Sequence, residues 1–401
     1  MMADSSGQAP GGATNARLNG VSPGASKDSQ GSSPWQRALT LTLVLRLTYS
    51  ACAAIIALIQ PVNGRLVHSN AFTESLRPPD HSLSYLLLGV WERFDTLWYL
   101  HIAAHGYDRP DAVVFFPLYP NLVKIMTLLF PPMAAALLTS TLAAFFLFWG
   151  LQELLLSEAP PKLVHQSVLL CAAWPASFIF FAGYPESLLF ALIVWSLCMA
   201  RRDHWPAAAA LGLAAALTKA VGVVVVPLLI MALRHNLRRK RIRALPLFLV
   251  PLGPAGFLGY LQWTGHGALA SSYGQYWRTS MAMPWTTLWA SVDAMARRPD
   301  PILGLNLISL LLISGLVAWS RLRIEYLLYC AAAIVVFLCK ETTPPLQSMM
   351  RYLLIVFPAF VGCAYLLQRP TLQSRFEMVC AALFVVNLGL LWLFLGWSLV
   401  L

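Results

Sequence analysis

Long apolar stretches alternate with short polar segments over most of the chain. Four of them, 39–59, 132–156, 166–200 and 372–401, each hold about 20 or more mostly apolar residues, the length a helix needs to cross a hydrocarbon layer about 30 Å thick. A β-barrel would instead show segments of about ten residues with alternating polarity. The pattern predicts an all-α fold, a polytopic transmembrane helical bundle.

We expect about 11 spans, within a range of about 10 to 13, from the apolar runs that reach or approach the membrane-crossing length. They are expected near residues 38–60, 113–130, 133–156, 165–182, 184–200, 205–233, 244–262, 301–320, 324–339, 351–367 and 376–400. Pro206, Lys219 and Pro227 interrupt the sixth run. That run is therefore either one crossing or two half-helices that line a cavity.

The polar segments suggest the domain organisation. Residues 1–36 are rich in Gly, Ser, Ala, Asn and Pro, which predicts a disordered polar tail. Residues 37–401 form a single membrane-embedded domain in this interpretation. Two longer polar segments, 60–111 and 263–300, are predicted as the first and second extracytoplasmic loops, the first of them helical.

Composition supports membrane insertion and orients the chain. Hydrophobic residues make up 58% of the sequence and charged residues 11%, far from the balance of soluble domains. The net charge of +11 comes from short basic clusters between spans, which indicates orientation rather than nucleic-acid binding. The densest cluster, 234–243, is predicted to be cytoplasmic, and anionic lipid is a compatible partner for it.

The segment WERFDTLWYLHIAAHGYD, Trp91 to Asp108, carries the densest functional signal. On helical spacing, Trp91, Asp95, Trp98 and Tyr99 share one face. A carboxylate among aromatic rings suits a sugar and can act as a general base. The alternative is an interfacial amphipathic helix with an aromatic belt and a solvated Asp.

The same segment contains two histidines at metal-ligand spacing. His101 and His105 are four residues apart, as in helical zinc sites. The spacing specifies no third ligand, so interfacial polar residues are the simpler interpretation and we predict no metal. The seven cysteines likewise show no ligand-like spacing.

Four further ionisable residues lie within or beside apolar runs. Glu186 stands between long apolar stretches, either as a functional carboxylate at membrane depth or in an interfacial loop. Lys219 is either its counter-ion or a snorkelling lysine. Arg278 and Arg351 are placed at outer ends of spans, as phosphate ligands or as interface anchors.

Five motifs together resemble a known family. They are the Trp91–Asp108 segment, FFPLYP (Phe115–Pro120), WPASFIFFAGYPESLLF (Trp174–Phe190), LTKAVG around Lys219 and RYLLIVFP (Arg351–Pro358). This order resembles the GPI mannosyltransferase II family, also called PIG-V-like, and its bacterial members, most clearly over residues 91 to 230. The resemblance implies a GT-C membrane glycosyltransferase.

The family's properties become expectations for particular residues. The resemblance implies a polyprenyl-phosphate sugar as donor, a lipid or glycan as acceptor, and an acidic residue of the first outer loop as base. Asp95 matches that position, with Glu92 as the second candidate. Arg351, Arg278 and Lys219 are the expected phosphate ligands. The expected substrate-lining residues are Trp91, Trp98, Tyr99, Tyr107, Phe116, Tyr184, Glu186, Gln275 and Trp277.

The implied chemistry needs few groups. A polyprenyl phosphate leaves as an already charged phosphate, so the site needs a base and cations but no dedicated acid. One base and direct displacement predict an inverting transfer without a cofactor. We therefore expect a hexose transferase, mannosyl by resemblance, in a bacterial inner (plasma) membrane with its active site on the extracytoplasmic face.

Two other classes of function stay open at this point. A transporter or flippase for a lipid-linked or small anionic substrate would use Glu186, Lys219 and Arg351 as a polar pathway. No internal repeat is visible, which disfavours a carrier. An inactive scaffold is the third class, and the presence of Asp95 argues against it.

Overall fold

The computed structural model describes residues 32–60, 72, 82–234, 242–266 and 269–398. Within these ranges the chain forms 17 α-helices and one pair of two-residue strands, so the predicted all-α class is confirmed. Most of the predicted tail, much of the first loop and the centre of the basic cluster at 234–243 lie outside the described residues. The predicted domain boundaries therefore stay predictions.

The helices follow in chain order. The first nine are α1 (Pro34–Ile59), α2 (Leu83–Leu87), α3 (Asp95–His105), α4 (Leu118–Met126), α5 (Pro132–Leu156), α6 (Pro161–Ala173), α7 (Glu186–Arg201), α8 (Trp205–Thr218) and α9 (Val225–Arg234). The other eight are α10 (Leu249–Trp263), α11 (Leu269–Trp277), α12 (Pro284–Arg297), α13 (Pro301–Trp319), α14 (Ile324–Leu338), α15 (Met349–Tyr352), α16 (Pro358–Leu367) and α17 (Phe376–Leu395). The strands β1 (Ser280–Met281) and β2 (Lys340–Glu341) pair antiparallel.

Several helices are suited to a membrane. By length and composition, five of the described helices are able to cross a bilayer: α1, α5, α13, and the helical stretches Leu245–Trp263 and Gln373–Leu395. The bent pair Met349–Ile355 and Pro358–Leu367, with an angle of 85°, is either a sixth, broken span or a re-entrant loop. Other apolar helices in the described ranges are shorter, and the count of about 11 spans remains a prediction.

The sixth apolar run is interrupted at Lys219. Helix α8 ends at Thr218, Lys219 is extended with φ −159° and ψ 143°, and a 3₁₀ turn over Ala220–Val224 leads into α9. Gly222 permits the turn, because a Cβ there would lie 2.3 Å from the backbone of Ala215. The run is therefore two helices joined at Lys219, whose side chain lines a cavity, and its path relative to the membrane stays a prediction.

Neighbouring helices bury one large apolar core, and a small second cluster lies around Phe116 and Phe257. Helix α5 packs along α7 and α1, α7 along α8, α8 along α10, and α13 along α16. Large aromatic side chains such as Tyr119, Tyr184 and Phe357 are fully buried in it. The core holds the two broken segments, α8–α9 and α15–α16, at fixed positions beside α3.

The predicted helix through Trp91 is wrong in one respect. Gly89–Trp91 is a 3₁₀ turn, and α3 begins at Asp95 after Phe94, whose φ is 45°. The chain turns here because the buried Arg93 guanidinium donates to the carbonyl oxygens of Leu395 and Gly89. Trp91 therefore does not share a helical face with Asp95.

Candidate active site

A cavity of about 230 Å³ lies where α3, α11, β2, α15 and the Lys219 break converge. Among the described residues, the charged side chains that line it are Asp95, Lys219, Lys340 and Arg351. Its aromatic lining residues are Tyr99, Phe115, Phe116, Tyr273, Trp277, Phe337 and Tyr352. The cavity thus combines one carboxylate, three cations and a set of ring faces.

Asp95 is the first residue of α3 and faces the cavity. Its backbone N–H donates to the Tyr184 hydroxyl at 3.3 Å, which fixes the start of the helix. Its side chain is 18% exposed. The carboxylate is therefore held by buried structure yet remains accessible from the cavity.

Arg351 joins two carboxylates. Its Nη1 donates to Oδ2 of Asp95 at 2.7 Å, and its Nε lies 3.2 Å from Oε1 of Glu186. Nζ of Lys219 donates to the same Glu186 oxygen at 2.6 Å. Of the two roles considered for Lys219, the structure shows an ion pair with Glu186, and Glu186 holds both cations from behind the cavity wall.

Tyr352 lies among the three cations. Its hydroxyl accepts from Nζ of Lys340 at 3.2 Å and from Nη2 of Arg351 at 3.4 Å. Its ring centroid is 4.9 Å from Nζ of Lys219 and 5.5 Å from Nζ of Lys340. A ring face attracts cations, so Tyr352 reduces the mutual repulsion of these positive groups.

Lys340 lies between two tyrosines. Its Nζ donates to the Tyr352 hydroxyl at 3.2 Å and lies 5.6 Å from the ring centroid of Tyr273. Lys340, Lys219 and Arg351 carry three formal positive charges, and Asp95 and Glu186 carry two negative ones. The cluster therefore has one net positive charge, which suits a monoanion.

The structure places six of the predicted site residues in the cavity wall. They are Asp95, Tyr99, Phe116, Lys219, Trp277 and Arg351. Tyr184 and Glu186 lie directly behind, in contact with Asp95 and Arg351 respectively.

The remaining predicted lining residues lie elsewhere. Trp91 is buried, with the Arg46 guanidinium 5.0 Å from its ring centroid. Trp98 stacks on Phe115 one layer behind the cavity. The Tyr107 hydroxyl donates to the Phe115 carbonyl at 2.6 Å.

Two predicted residues on or just after α11 are exposed. Gln275 points to the outside of the molecule, and Arg278, with φ 47°, is likewise exposed and does not line the cavity. A phosphate ligand must reach the reacting group, so neither residue joins the cluster.

The two histidines of α3 form a surface pair. Nε2 of His101 lies 2.7 Å from Oδ1 of Asp108, and the His101 ring stacks on His105. Slight burial opposes ionisation of Asp108, but the hydrogen bond with His101 lowers its pKa. No group of three or more potential metal ligands occurs among the residues that the structure describes.

Sequence reasoning missed Lys340, Tyr352 and Tyr273. The signal for Lys340 was a single lysine directly after the apolar run that ends at Cys339, similar to the context that identified Lys219. Tyr352 lay beside Arg351 in a motif already considered. Tyr273 carried no distinguishing signal, because its role depends on a contact with Lys340 across the β1–β2 pairing.

Comparison with known proteins gives one related activity. No protein-family model matches the chain. The chain is 29% identical over 172 residues to GPI alpha-1,6-mannosyltransferase 2 of Homo sapiens, and equally to that of Cricetulus griseus. The alignment covers 38% of this chain and 34% of each relative, so the chain spans about a third of the length of the curated relatives it matches.

One solved structure is similar in outline. ArnT from Cupriavidus metallidurans, crystallised bound to undecaprenyl phosphate, superposes with a TM-score of 0.49 and 11% sequence identity, covering 91% of this chain and 77% of that chain. The sequence similarity to the two mannosyltransferases confirms the resemblance to the GPI mannosyltransferase II family that the motifs indicate.

Proposed function

We propose that this protein is a membrane glycosyltransferase. It moves a hexose, mannose by analogy with its relatives, from a polyprenyl-phosphate sugar to a hydroxyl group of a lipid or glycan acceptor. The observation that carries the proposal is the convergence of one carboxylate, Asp95, and three cations, Lys219, Lys340 and Arg351, on one cavity. Sequence similarity to mannosyltransferases supports the class of reaction.

The cations provide for the donor phosphate. A polyprenyl-phosphate sugar is a phosphodiester with one negative charge, which balances the single net positive charge of the cluster. Arg351 offers a planar fork for phosphate oxygens, while Lys219 and Lys340 act as point charges. As the glycosidic bond breaks, the phosphate gains charge, and preorganised cations stabilise that change in the transition state.

Asp95 provides for the acceptor. Arg351 contacts Asp95 directly, so a phosphate held by Arg351 places the attached anomeric carbon close to the carboxylate. The acceptor hydroxyl oxygen attacks that carbon, its proton passes to Asp95, and the bond from the anomeric carbon to the phosphate oxygen breaks. Attack opposite the leaving phosphate inverts the anomeric centre, and the step uses neither a cofactor nor a separate acid.

Aromatic rings provide for the sugar. Tyr99, Phe115, Phe116 and Trp277 line the cavity near the carboxylate. Ring faces pack against the apolar C–H side of a hexose, while the sugar hydroxyls remain free to bond with the polar wall. Thr342 and Gln347 supply polar groups in that wall.

The proposed location follows from charge and chain order. Asp95 belongs to the polar segment after α1, and the basic cluster at 234–243 indicates the cytoplasmic side. The site then faces the extracytoplasmic side, in a bacterial plasma membrane. Membrane lipids are the surrounding partners, and nucleic acid has no role.

A transfer assay tests the proposal. Purified protein in vesicles is incubated with radiolabelled polyprenyl-phosphate mannose and an extract of lipids and glycans. The expected result is label in a new product that depends on Asp95. Movement of intact donor across the bilayer without a new product would support the flippase alternative instead and would refute the transferase.

A further inference from the structure

Helix α12, Pro284–Arg297, has three large apolar residues on the outside of the molecule. Trp285, Trp289 and Val292 recur at helical spacing, and they are 65%, 75% and 54% exposed. The exposed side includes Thr286 and Ala296. It also carries the ion pair of Arg297 with Asp293, whose side chains are 77% and 41% exposed.

The inward face of α12 holds small polar residues beside apolar ones. Thr287 and Ser291 are fully buried, and the Ser291 hydroxyl donates to the Thr287 carbonyl at 2.6 Å. A helix on a surface in water keeps its large apolar side chains on the face toward the core, whereas the two tryptophans of α12 lie on the outside. Small residues packed between helices, with large apolar residues outside, are typical of helices surrounded by lipid.

We propose that α12 lies in the interfacial layer of the bilayer, with Trp285 and Trp289 inserted among the lipids. The helix has 14 residues, a length of about 21 Å at 1.5 Å per residue, which is too short for a transmembrane crossing. Tryptophan is enriched at the membrane–water boundary. Arg297 and Arg298, at its end, suit anionic head groups.

The neighbouring span argues for lipid as the occupant. Helix α13 begins at Pro301, after a three-residue linker, and is a candidate membrane span. Its residues Ile308 and Leu311 are exposed, as expected for a surface that faces lipid. Helix α12 directly precedes α13 in the chain and packs against it. One bilayer therefore covers the exposed surfaces of both helices.

A short strand pairing connects α12 to the cavity. Met281, in the strand before α12, pairs with Lys340, and the Ala282 N–H donates to the Cys339 carbonyl at 2.9 Å. Lys340 lines the cavity. Anchoring α12 in the interface therefore sets the cavity at the depth of lipid head groups, where a lipid-linked phosphate lies. The anchoring itself does not depend on the proposed function.

Fluorescence quenching tests the placement without an activity measurement. Wild type and the W285F/W289F variant are reconstituted in vesicles of phosphatidylcholine and phosphatidylglycerol, with bromine atoms placed either close to the head group or at the chain ends. The emission of the wild type minus that of the variant is the fluorescence of Trp285 and Trp289. We expect bromine close to the head group to quench that difference several times more strongly than aqueous iodide or deep bromine.

Trp205→Phe is the matched control, because Trp205 is almost fully buried and its component should resist every quencher. Strong quenching of the Trp285 and Trp289 component by iodide alone would place α12 in water and overturn the proposal. A second copy of the protein on this face would protect the two tryptophans from both iodide and brominated lipid, and dilution with excess lipid would remove the protection. That result would also overturn the proposal. Single variants W285F and W289F repeat the measurement with one conservative change each.

Discussion

Nη1 of Arg351 donates a hydrogen bond to Oδ2 of Asp95 at 2.7 Å, although the two residues are 256 positions apart in the chain. One begins α3 and the other belongs to the short helix α15. In the proposed reaction, the donor phosphate competes with Asp95 for the same guanidinium. Donor binding then weakens the ion pair and frees the carboxylate to accept a proton, while Glu186 keeps Arg351 in place.

The first prediction concerns the fork of Arg351. Arg351→Lys keeps the charge but removes the planar pair of donors that spans Asp95 and phosphate. We expect the transition state for transfer to lose about 1.5–3 kcal/mol, the usual contribution of a hydrogen bond to a charged group. Donor titrations of kcat/KM measure this loss.

Arg278→Ala is the matched control, because Arg278 is exposed and does not line the cavity. Its donor kinetics should equal those of the wild type. Unchanged kinetics in both Arg351→Lys and Arg351→Ala would remove Arg351 from the site.

The second prediction concerns Lys340, which the sequence did not single out. Lys340→Gln removes a buried point charge that faces the cavity and bonds to the Tyr352 hydroxyl. We expect the KM for donor to rise by about tenfold, in the range of one charge-assisted hydrogen bond. Lys124→Gln, at an exposed position at the end of α4, should leave the KM unchanged. Equal kinetics in the two variants would mean that Lys340 does not meet the phosphate.

The sequence was informative where an ionisable residue interrupted an apolar run. Glu186 and Lys219 were selected on that ground. Arg351 was selected at the end of a span and Asp95 as a carboxylate among aromatic rings, and the structure joins all four in one network. The reason is energetic, since charges at membrane depth persist only when other charges or a cavity compensate them. The break at Lys219 was visible for the same reason.

Aromatic residues were harder to assign because they are frequent in core and site alike. Trp91 was expected beside Asp95, but the turn at Phe94 separates them. Tyr352 surrounds itself with cations that come from three separate elements. Contacts between distant segments decide whether an aromatic residue belongs to the core or to the site, and local spacing in the sequence does not predict those contacts.

The third prediction concerns helix packing. Gly362 of α16 lies against α13, where an added Cβ would be 1.9 Å from the Leu316 carbonyl oxygen. Gly362→Ala must therefore push two backbones apart, and overpacking costs about 1–3 kcal/mol or more. We expect a lower Tm in detergent and loss of transfer, because α16 continues from the segment that carries Arg351.

Gly315→Ala serves as the control for that change. Gly315 lies on α13, and nothing stands within 4 Å of its added Cβ. Alanine is favoured over glycine inside a helix by about 1 kcal/mol, so the Tm should stay level or rise. A Tm for Gly362→Ala equal to that of Gly315→Ala would contradict the close approach of α13 and α16.

The fourth prediction concerns the base. Asp95→Asn preserves the size of the side chain and an oxygen that accepts from Arg351, but the amide cannot take a proton from the acceptor. The variant should insert, fold and bind donor. Turnover should fall by about 10²–10⁴, the usual effect of removing a general base, and single-turnover transfer with saturating donor measures it.

Glu92→Gln separates the base from its nearest acidic neighbour. Glu92 is buried in the turn before α3 and does not line the cavity, so its loss should leave turnover close to that of the wild type.

Glu186→Gln is the second comparison. It removes the same formal charge from the cluster but leaves Asp95 intact. Transfer should be impaired because donor binding is weaker, and a high donor concentration should restore the transfer rate. Asp95→Asn should not respond to donor concentration, because the missing step is proton removal. If Asp95→Asn kept more than about a tenth of wild-type turnover while Glu92→Gln lost it, Glu92 would be the base and the assignment of Asp95 would be wrong.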